Sequence, residues 1–467
     1  MRLSLTQMGW LILGLMLWAS SLHFSDRAEG ALEIVATLKA DGEGNSFKQA
    51  LWLALLVPTL AVLAARGGRL MQTGWCGALS LVFAGVVLIH IPLSEDPPFT
   101  LRRSAAFLIY CLSAVAFALI PRTPAEAHRL LRGASTFIAW TLAASLAVWV
   151  VWPSWAVPDA QAGRLAGIWS GPVILGKVSA FVLLLPIAHR AAGLPWRDVR
   201  RLAWASGTGA VACLLLSQTR SSVVGVLVGL CSTLLFLRAS NRVFIFVLTA
   251  TAIVLALLLQ DAVFALLREV LGVWRHDTAR SIDTEILTLT GRTRLWEGMM
   301  SVGQMGLTGA GFRTFWRGDR VLLIAAIAEF VVTGAHNTWL EVLFDLGLLG
   351  LASALAMVFA FARAFARASG STDDDARFIG RYGVIFGCML LSQTMFTQLI
   401  NNVTPFFWFF LVCGFLARRF GHASAPASAP DPEPQPTPAQ LSPSLASPQG
   451  LSPETAPAIA PATGLGG

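Results

Sequence analysis

Residues Thr290–Gly350 read TGRTRLWEGMMSVGQMGLTGAGFRTFWRGDRVLLIAAIAEFVVTGAHNTWLEVLFDLGLLG, and we interpret them as the part of the chain that the rest holds in place. The stretch begins with arginines, passes a glycine cluster and a short apolar run, and then enters a long apolar segment through His336 and Asn337. A segment of that length predicts a membrane helix. A histidine where a loop meets such a helix, with arginines upstream, indicates chemistry on an anionic substrate at a membrane surface.

The composition is that of a polytopic membrane protein. The 467 residues are 55% hydrophobic and 13% charged, with a mean hydropathy of +0.66. Apolar runs of about 15 to 25 residues alternate with short basic or Gly/Pro-rich links, which is typical of membrane helices and not of soluble cores. We therefore predict an all-α fold with about twelve transmembrane helices. The predicted spans are 8–24, 50–65, 74–94, 104–120, 135–152, 172–188, 202–217, 222–237, 243–260, 339–362, 382–400 and 405–417.

The distribution of arginines predicts the orientation. If the N-terminus is cytoplasmic, one side of the membrane receives most of the cations, and the short loops on the other side receive far fewer. The positive-inside rule then places both termini in the cytoplasm, which requires an even number of spans. The formal net charge of +8 reflects this asymmetry, so we do not predict a nucleic-acid partner.

Four regions follow from this count. Residues 1–260 contain the first nine spans, 261–335 form a long outer loop with amphipathic helices, and 336–420 contain the last three spans. Residues 421–467 are rich in Pro, Ala and Ser and are predicted to be a disordered cytoplasmic tail. Val321–Gly334 is apolar but too short to span, and it is predicted to be an interfacial or loop-buried helix.

Cations gather at the predicted outer ends of the helices. Arg220 lies in a turn of a few polar residues between two spans, where a guanidinium is costly unless it faces an aqueous or anionic cavity. Arginine also suits bidentate recognition of phosphate. An ordinary charge reaching the headgroups is the alternative for Arg220, and a solvated loop charge is the alternative for Arg292. Weaker candidates for substrate binding are Arg164, Lys177 and Arg294.

His336 and Asn337 are the candidates for acid–base chemistry and hydrogen bonding. A neutral imidazole can accept a proton from an attacking hydroxyl group. The alternative is that His336 and Asn337 have a structural role and cap the following helix. Glu341 and Asp345 lie one turn further on and share a helix face, where counter-ions to the arginines are the preferred interpretation.

The predicted outer loops contain no DxD, HExxH or GxxxxGK[ST] motif, so we predict neither a metal nor a cofactor. A diphosphate substrate would then have to be neutralised by arginines. The glycines of the sequence GLTGAGF, at 306–312, are interpreted as permitting a tight turn beneath the catalytic surface.

Four patterns resemble the bacterial O-antigen ligases, within the larger group of O-antigen ligases, polymerases and O-oligosaccharyltransferases. They are RLAGIWSGPVILG at Arg164–Gly176, SQTRS at Ser217–Ser221, GRTRLW at Gly291–Trp296 followed by GLTGAGF, and HNTWLEVLFDLGLLG at His336–Gly350. The last has the H-N-x-x-L-x-x-L-x-x-x-G-x-x-G form of the group.

The resemblance implies a GT-C-like membrane enzyme of the bacterial inner membrane with a periplasmic active site. Such an enzyme takes a glycan from undecaprenyl diphosphate and passes it, without a metal and with inversion, to a hydroxyl of lipid A-core. Arg220 and Arg292 would bind the donor diphosphate, and His336 would be the catalytic base. The group usually has Asn before the LG of the first pattern, whereas this chain has Val173-Ile174-Leu175-Gly176, so no role is implied there.

Other members of the group could use the same residues. An O-antigen polymerase and a protein O-oligosaccharyltransferase are the alternatives within the group. A transporter or flippase is the alternative of another class, although its charges would be expected inside several spans or in broken helices of repeated halves.

Overall fold

The computed structural model describes residues 4–21, 46–157, 164–195, 200–236, 292–303, 305–328, 334–400 and 403–421, and these residues are helical without a β-strand. Their principal helices are α1 (Leu5–Ser21), α2 (Ser46–Arg66), α3 (Gly74–Leu93), α4 (Pro97–Leu119), α5 (Pro124–Val151), α6 (Pro172–Ala191), α7 (Arg200–Leu216), α8 (Arg220–Ser232), α9 (Arg292–Val302), α10 (Asp319–Ala328), α11 (Thr338–Ser369), α12 (Asp374–Thr394) and α13 (Pro405–Phe420). A 3₁₀ helix, Gly67–Thr73, joins α2 to α3.

Five helical segments of the described part are long and apolar enough to cross a membrane. They are Ser46–Leu93, which contains α2 and α3, and then α4, α5, α6 and α11. Shorter apolar helices are Leu5–Ser21, Ser206–Leu216 and Arg220–Phe236. The prediction of an all-α polytopic membrane protein is confirmed. Each predicted span overlaps a helix except 243–260, which lies outside the described residues.

Several helices begin earlier than their apolar runs, because capping residues fix the start. Asp96 accepts a hydrogen bond from the Phe99 amide at 3.1 Å, and Pro97 occupies the first turn of α4. Thr123 caps α5 in the same way, with Pro124 following. A short polar cap followed by proline satisfies an exposed amide and sets φ for a helix. The polar first turns of α4 and α5 are thus helical although they are not apolar.

Two helices, α9 and α10, lie within the predicted loop 261–335, of which 261–291, 304 and 329–333 fall outside the described residues. The start of α10 and the segment before it are attached to the α3–α4 corner. Arg317 pairs with Asp96 at 2.5 Å, and Arg320 pairs with Glu95. Thr314 joins a hydroxyl cluster with Thr100, at 2.8 Å. These contacts hold the loop over one end of the bundle.

The helix α11 is broken at Gly347, where φ is 66° and ψ is −165°. The segment 306–311 pairs with the break through four backbone hydrogen bonds. The amides of Leu348 and Leu349 donate to the carbonyls of residues 306 and 307, while the carbonyls of residues 344 and 345 accept from the amides of residues 310 and 311. Because groups released by a helix break must be satisfied elsewhere, this pairing makes the break compatible with burial.

The glycines at this crossing are required by close approach. A β-carbon on Gly309 would lie 2.5 Å from the Phe344 carbonyl oxygen, and one on Gly347 would collide with the Leu307 carbonyl. The glycine cluster therefore does more than form a tight turn. It allows one backbone to lie directly against another.

Candidate active site

Arg164 and Arg220 lie together at a strained turn. The Nε of Arg164 donates to the carbonyl of Ser217 at 3.0 Å, and its Nη2 donates to Thr219 Oγ1 at 3.2 Å. Gln218, between those two residues, has a positive φ of 49°. Burial, followed by the charge of Arg220, lowers the pKa of Arg164. Two guanidiniums placed this close would be stabilised by an anion between them.

Arg220 is the exposed first residue of α8. The positive end of a helix dipole lies there, so the field of the helix and the guanidinium favour the same negative ligand. An exposed cation in this position is suited to binding an anion.

Lys177 and its neighbour connect α6 to this turn. Lys177 is only 3% exposed, and its Nζ lies 5.9 Å from the centroid of the Phe406 ring. A β-carbon on Gly176 would lie 2.7 Å from the Cβ of Thr219, so α6 packs tightly against the turn that binds Arg164. Lys177 therefore lies on the helix that packs against the turn holding Arg164 and Arg220.

Arg292 is the first residue of α9, and its guanidinium carbon lies 5.4 Å from the centroid of the Phe396 ring. Burial lowers its pKa. Arg294, two residues later, is exposed, and residues at that spacing do not share a helix face. The structure thus separates the two arginines of the GRTRLW pattern.

His336 directly precedes α11 and has a positive φ of 51°. Part of its surface is exposed, yet protein atoms surround it closely enough that burial is the largest cause of a lowered imidazole pKa. The charges of Arg292 and then Lys177 lower that pKa further. The arrangement favours a neutral imidazole, which is the form that accepts a proton.

The peptide before His336 is held on both sides. The amide of Ala335 donates to the Glu341 carboxylate, and its carbonyl accepts from the Trp296 indole Nε1 at 2.9 Å. A positive φ at a non-glycine residue costs about 1–3 kcal/mol and persists when neighbouring contacts fix it. These two hydrogen bonds provide such contacts.

Asn337 caps α11. Its Oδ1 accepts from the amides of Trp339 at 3.0 Å and Leu340 at 3.2 Å, and the residue is buried. The side-chain oxygen of Asn337 therefore acts as a helix cap, which is the structural alternative given for this residue above. A contact between Asn337 and substrate stays a prediction.

The acids of α11 have a structural role. Glu341 accepts from Trp316 Nε1 at 2.8 Å and also from Gln398, while Asp345 Oδ1 accepts from the Phe315 amide at 3.3 Å. These bonds tie α11 to the residues before α10 and to Gln398, which follows α12. The interpretation of these acids as counter-ions to the candidate arginines stays a prediction.

Two groups of candidates emerge from the described residues. Arg292 and Lys177 act electrostatically on His336, and Arg220 acts on Arg164. The helix α6 connects the two groups. Its Gly176 packs against Thr219, in the turn that binds Arg164, and the next residue is Lys177. Trp296 and Glu341 were missed as positioning residues, because the sequence does not indicate which carbonyl or amide a buried side chain will meet.

A protein-family model described as O-Antigen ligase (Wzy_C) matches residues 205–355. The matched range includes Arg220, Arg292, His336 and the break at Gly347. The match supports the O-antigen ligase family, as the sequence patterns predict, and with it a glycosyltransferase-like function of the ligase or polymerase type. No curated protein sequence matches the chain significantly.

Proposed function

We propose, with the O-antigen ligase family as the premise, that this chain transfers a glycan from undecaprenyl diphosphate to a sugar hydroxyl of lipid A-core. The reaction takes place at the periplasmic face of the inner membrane, is inverting and requires no metal. One observation supports it above all: burial and the charges of Arg292 and Lys177 lower the pKa of His336, which favours the neutral imidazole that can accept a proton.

In the proposed reaction, the acceptor hydroxyl oxygen attacks the anomeric carbon of the donor glycan. The new glycosidic C–O bond forms as the bond from the anomeric carbon to the diphosphate oxygen breaks. His336 takes the hydroxyl proton, and undecaprenyl diphosphate leaves with the electron pair of the broken bond. Attack opposite the leaving group inverts the anomeric centre.

The cations act on the leaving group. Negative charge grows on the diphosphate as the bond breaks, and guanidiniums fixed before reaction stabilise it. Arg220 and Arg292 bind the diphosphate, while Arg164, Lys177, Arg294 and Asn337 contribute to the binding of substrate. Because arginines supply the positive charge, transfer by the purified protein is expected to continue in EDTA. A strict requirement for a divalent metal would contradict this mechanism.

The decisive experiment replaces His336 and measures transfer from a defined lipid-linked donor to purified core lipid. His336→Ala is expected to abolish transfer while the protein still inserts into the membrane. His336→Asn is the matched variant, because asparagine tolerates positive φ and so preserves the backbone. Full activity in either variant would remove the role of general base.

A polymerase of the same group is distinguished in a deletion strain. Loss of the ligase leaves long polymers on the lipid carrier and uncapped core, whereas loss of a polymerase leaves single repeat units on the core. Transfer by purified protein in detergent would exclude a function limited to transport.

A further inference from the structure

A groove with basic and apolar walls lies far from the candidate active site, between α3, α11 and α13. Its volume is about 300 Å³. We call it the arginine groove; its principal lining residues are Trp75, Leu79, Phe359, Arg363, Arg367 and Arg418. It lies toward the start of α3 and the end of α11, whereas Glu95 and His336 lie at the opposite ends of the same helices. The groove is therefore separate from the proposed chemistry.

Three guanidiniums converge on the groove. Arg363 and Arg367 are one turn apart and share a face of α11, and Arg418 approaches from α13. Within the described part of the chain, these three side chains have no hydrogen bond or ion pair. Like charges one turn apart repel, so an anion bound among them would relieve the repulsion and use the free N–H donors.

Two direct contacts join the walls of the groove. Cys76 Sγ donates to the carbonyl of Ala360 at 3.5 Å, which joins α3 to α11 at the floor. A β-carbon on Gly74 would lie 2.6 Å from Arg418 Nε, so the arginine side chain rests directly on the backbone at the start of α3. These contacts place Arg418 and the backbone of α11 directly against α3.

The apolar side of the groove faces outward. Trp75 is 73% exposed and Phe359 is 68% exposed. Leu355, one turn before Phe359, is also exposed, so an apolar strip continues along α11 away from the arginines. A tryptophan beside cations at the end of a spanning helix is typical of the level of lipid headgroups. A soluble phosphate would use only the arginines, whereas a phospholipid would use both the cations and the strip.

We propose that the arginine groove binds an anionic phospholipid of the surrounding bilayer. The headgroup phosphate accepts hydrogen bonds from Arg363, Arg367 and Arg418, and an acyl chain lies along Leu79 and Phe359. Guanidinium groups suit phosphate oxygens, and basic sites between membrane helices suit anionic headgroups.

The test compares retention of phosphatidylglycerol and phosphatidylcholine by the purified full-length protein, using native mass spectrometry. The variant Arg363→Gln/Arg367→Gln/Arg418→Gln is expected to lose phosphatidylglycerol affinity about tenfold or more, since one cation near an anionic lipid contributes about fivefold. The matched control, Arg129→Gln/Arg190→Gln/Arg200→Gln, removes three exposed arginines outside the groove and is expected to bind as the native protein does. Phosphatidylcholine is expected to bind weakly to all three proteins.

If the triple variant is unstable, Arg363→Gln alone is expected to lower affinity about fivefold. Equal retention by native protein and groove variant, or an equal loss in the control, would overturn the proposal. Displacement of the lipid by excess inorganic phosphate would reassign the groove to a soluble anion.

Discussion

Trp296→Phe is expected to lower the catalytic rate although Trp296 need not touch substrate. The substitution keeps an aromatic ring in the small core formed by α9, α10 and the start of α11, but it removes the indole N–H that donates to the Ala335 carbonyl at 2.9 Å. Ala335 is fully buried, so its carbonyl loses a partner that water cannot readily replace. Leaving such an acceptor unsatisfied costs about 1–3 kcal/mol.

The cost is expected to appear as relaxation of His336 out of its positive-φ conformation. A loss of 1–2 kcal/mol changes the ratio of two conformations by a factor of roughly 5–30. We therefore expect kcat for glycan transfer to fall about 5–30-fold, while KM for the donor changes little because the arginines are untouched. The assay is steady-state transfer by purified protein, with thermal unfolding measured in parallel.

Trp339→Phe is the matched control. Its indole Nε1 donates to Thr394 Oγ1 at 3.0 Å, and it is likewise partly buried, but it does not contact the Ala335 peptide. A comparable loss of stability with kcat reduced less than about twofold is expected. An equal loss of kcat in both variants, or full activity in Trp296→Phe, would refute the positioning of His336 by this hydrogen bond.

Three further predictions concern the charges and the broken helix. Arg292→Gln removes a cation that disfavours the imidazolium, so the pKa of His336 is expected to rise. The fall of the remaining kcat/KM at low pH should then begin at a higher pH than in the native protein. An unchanged pH profile would contradict the interaction between Arg292 and His336. Arg220→Lys is expected to lower kcat/KM about 10-fold or more, since a point charge cannot make bidentate contacts, and wild-type kinetics would argue against diphosphate binding there. Gly347→Ala is expected to destabilise the fold by at least about 2 kcal/mol, whereas Gly85→Ala, in an open helical position, is expected to be neutral or stabilising; equal melting temperatures would contradict the required break.

Apolar length was enough to predict the helical class and the approximate place of most spans. A membrane helix must be apolar over a fixed distance, and that requirement appears directly in the sequence. The helices α4 and α5 begin before their apolar runs, and the sequence signals for this are Asp96-Pro97 and Thr123-Pro124. These signals act through hydrogen bonding to the backbone and not through hydropathy. Span boundaries based on apolar runs alone therefore missed the first turns.

The candidate site was predicted less completely, because its geometry depends on contacts between distant segments. Residue type was sufficient to select His336, Arg292 and Arg220 as candidates. Nothing in the order of residues indicates that the Trp296 indole would meet the Ala335 carbonyl. A side chain with one donor can satisfy many acceptors, and only packing decides which one it reaches.

The break at Gly347 explains why the histidine and the glycine cluster belong to one structure. The sequence HNTWLEVLFDLGLLG reads as one continuous apolar helix, since a single glycine within such a run is compatible with a helix. The close approach of residues 306–311 supplies the backbone partners that make the break stable. The first part of α11 then bonds through its carbonyls to residues 310 and 311, and through Glu341 to the Ala335 amide. Because the same short helix contacts both segments, a disturbance of the glycine crossing is expected to reach His336 without any change in the residues that surround its imidazole.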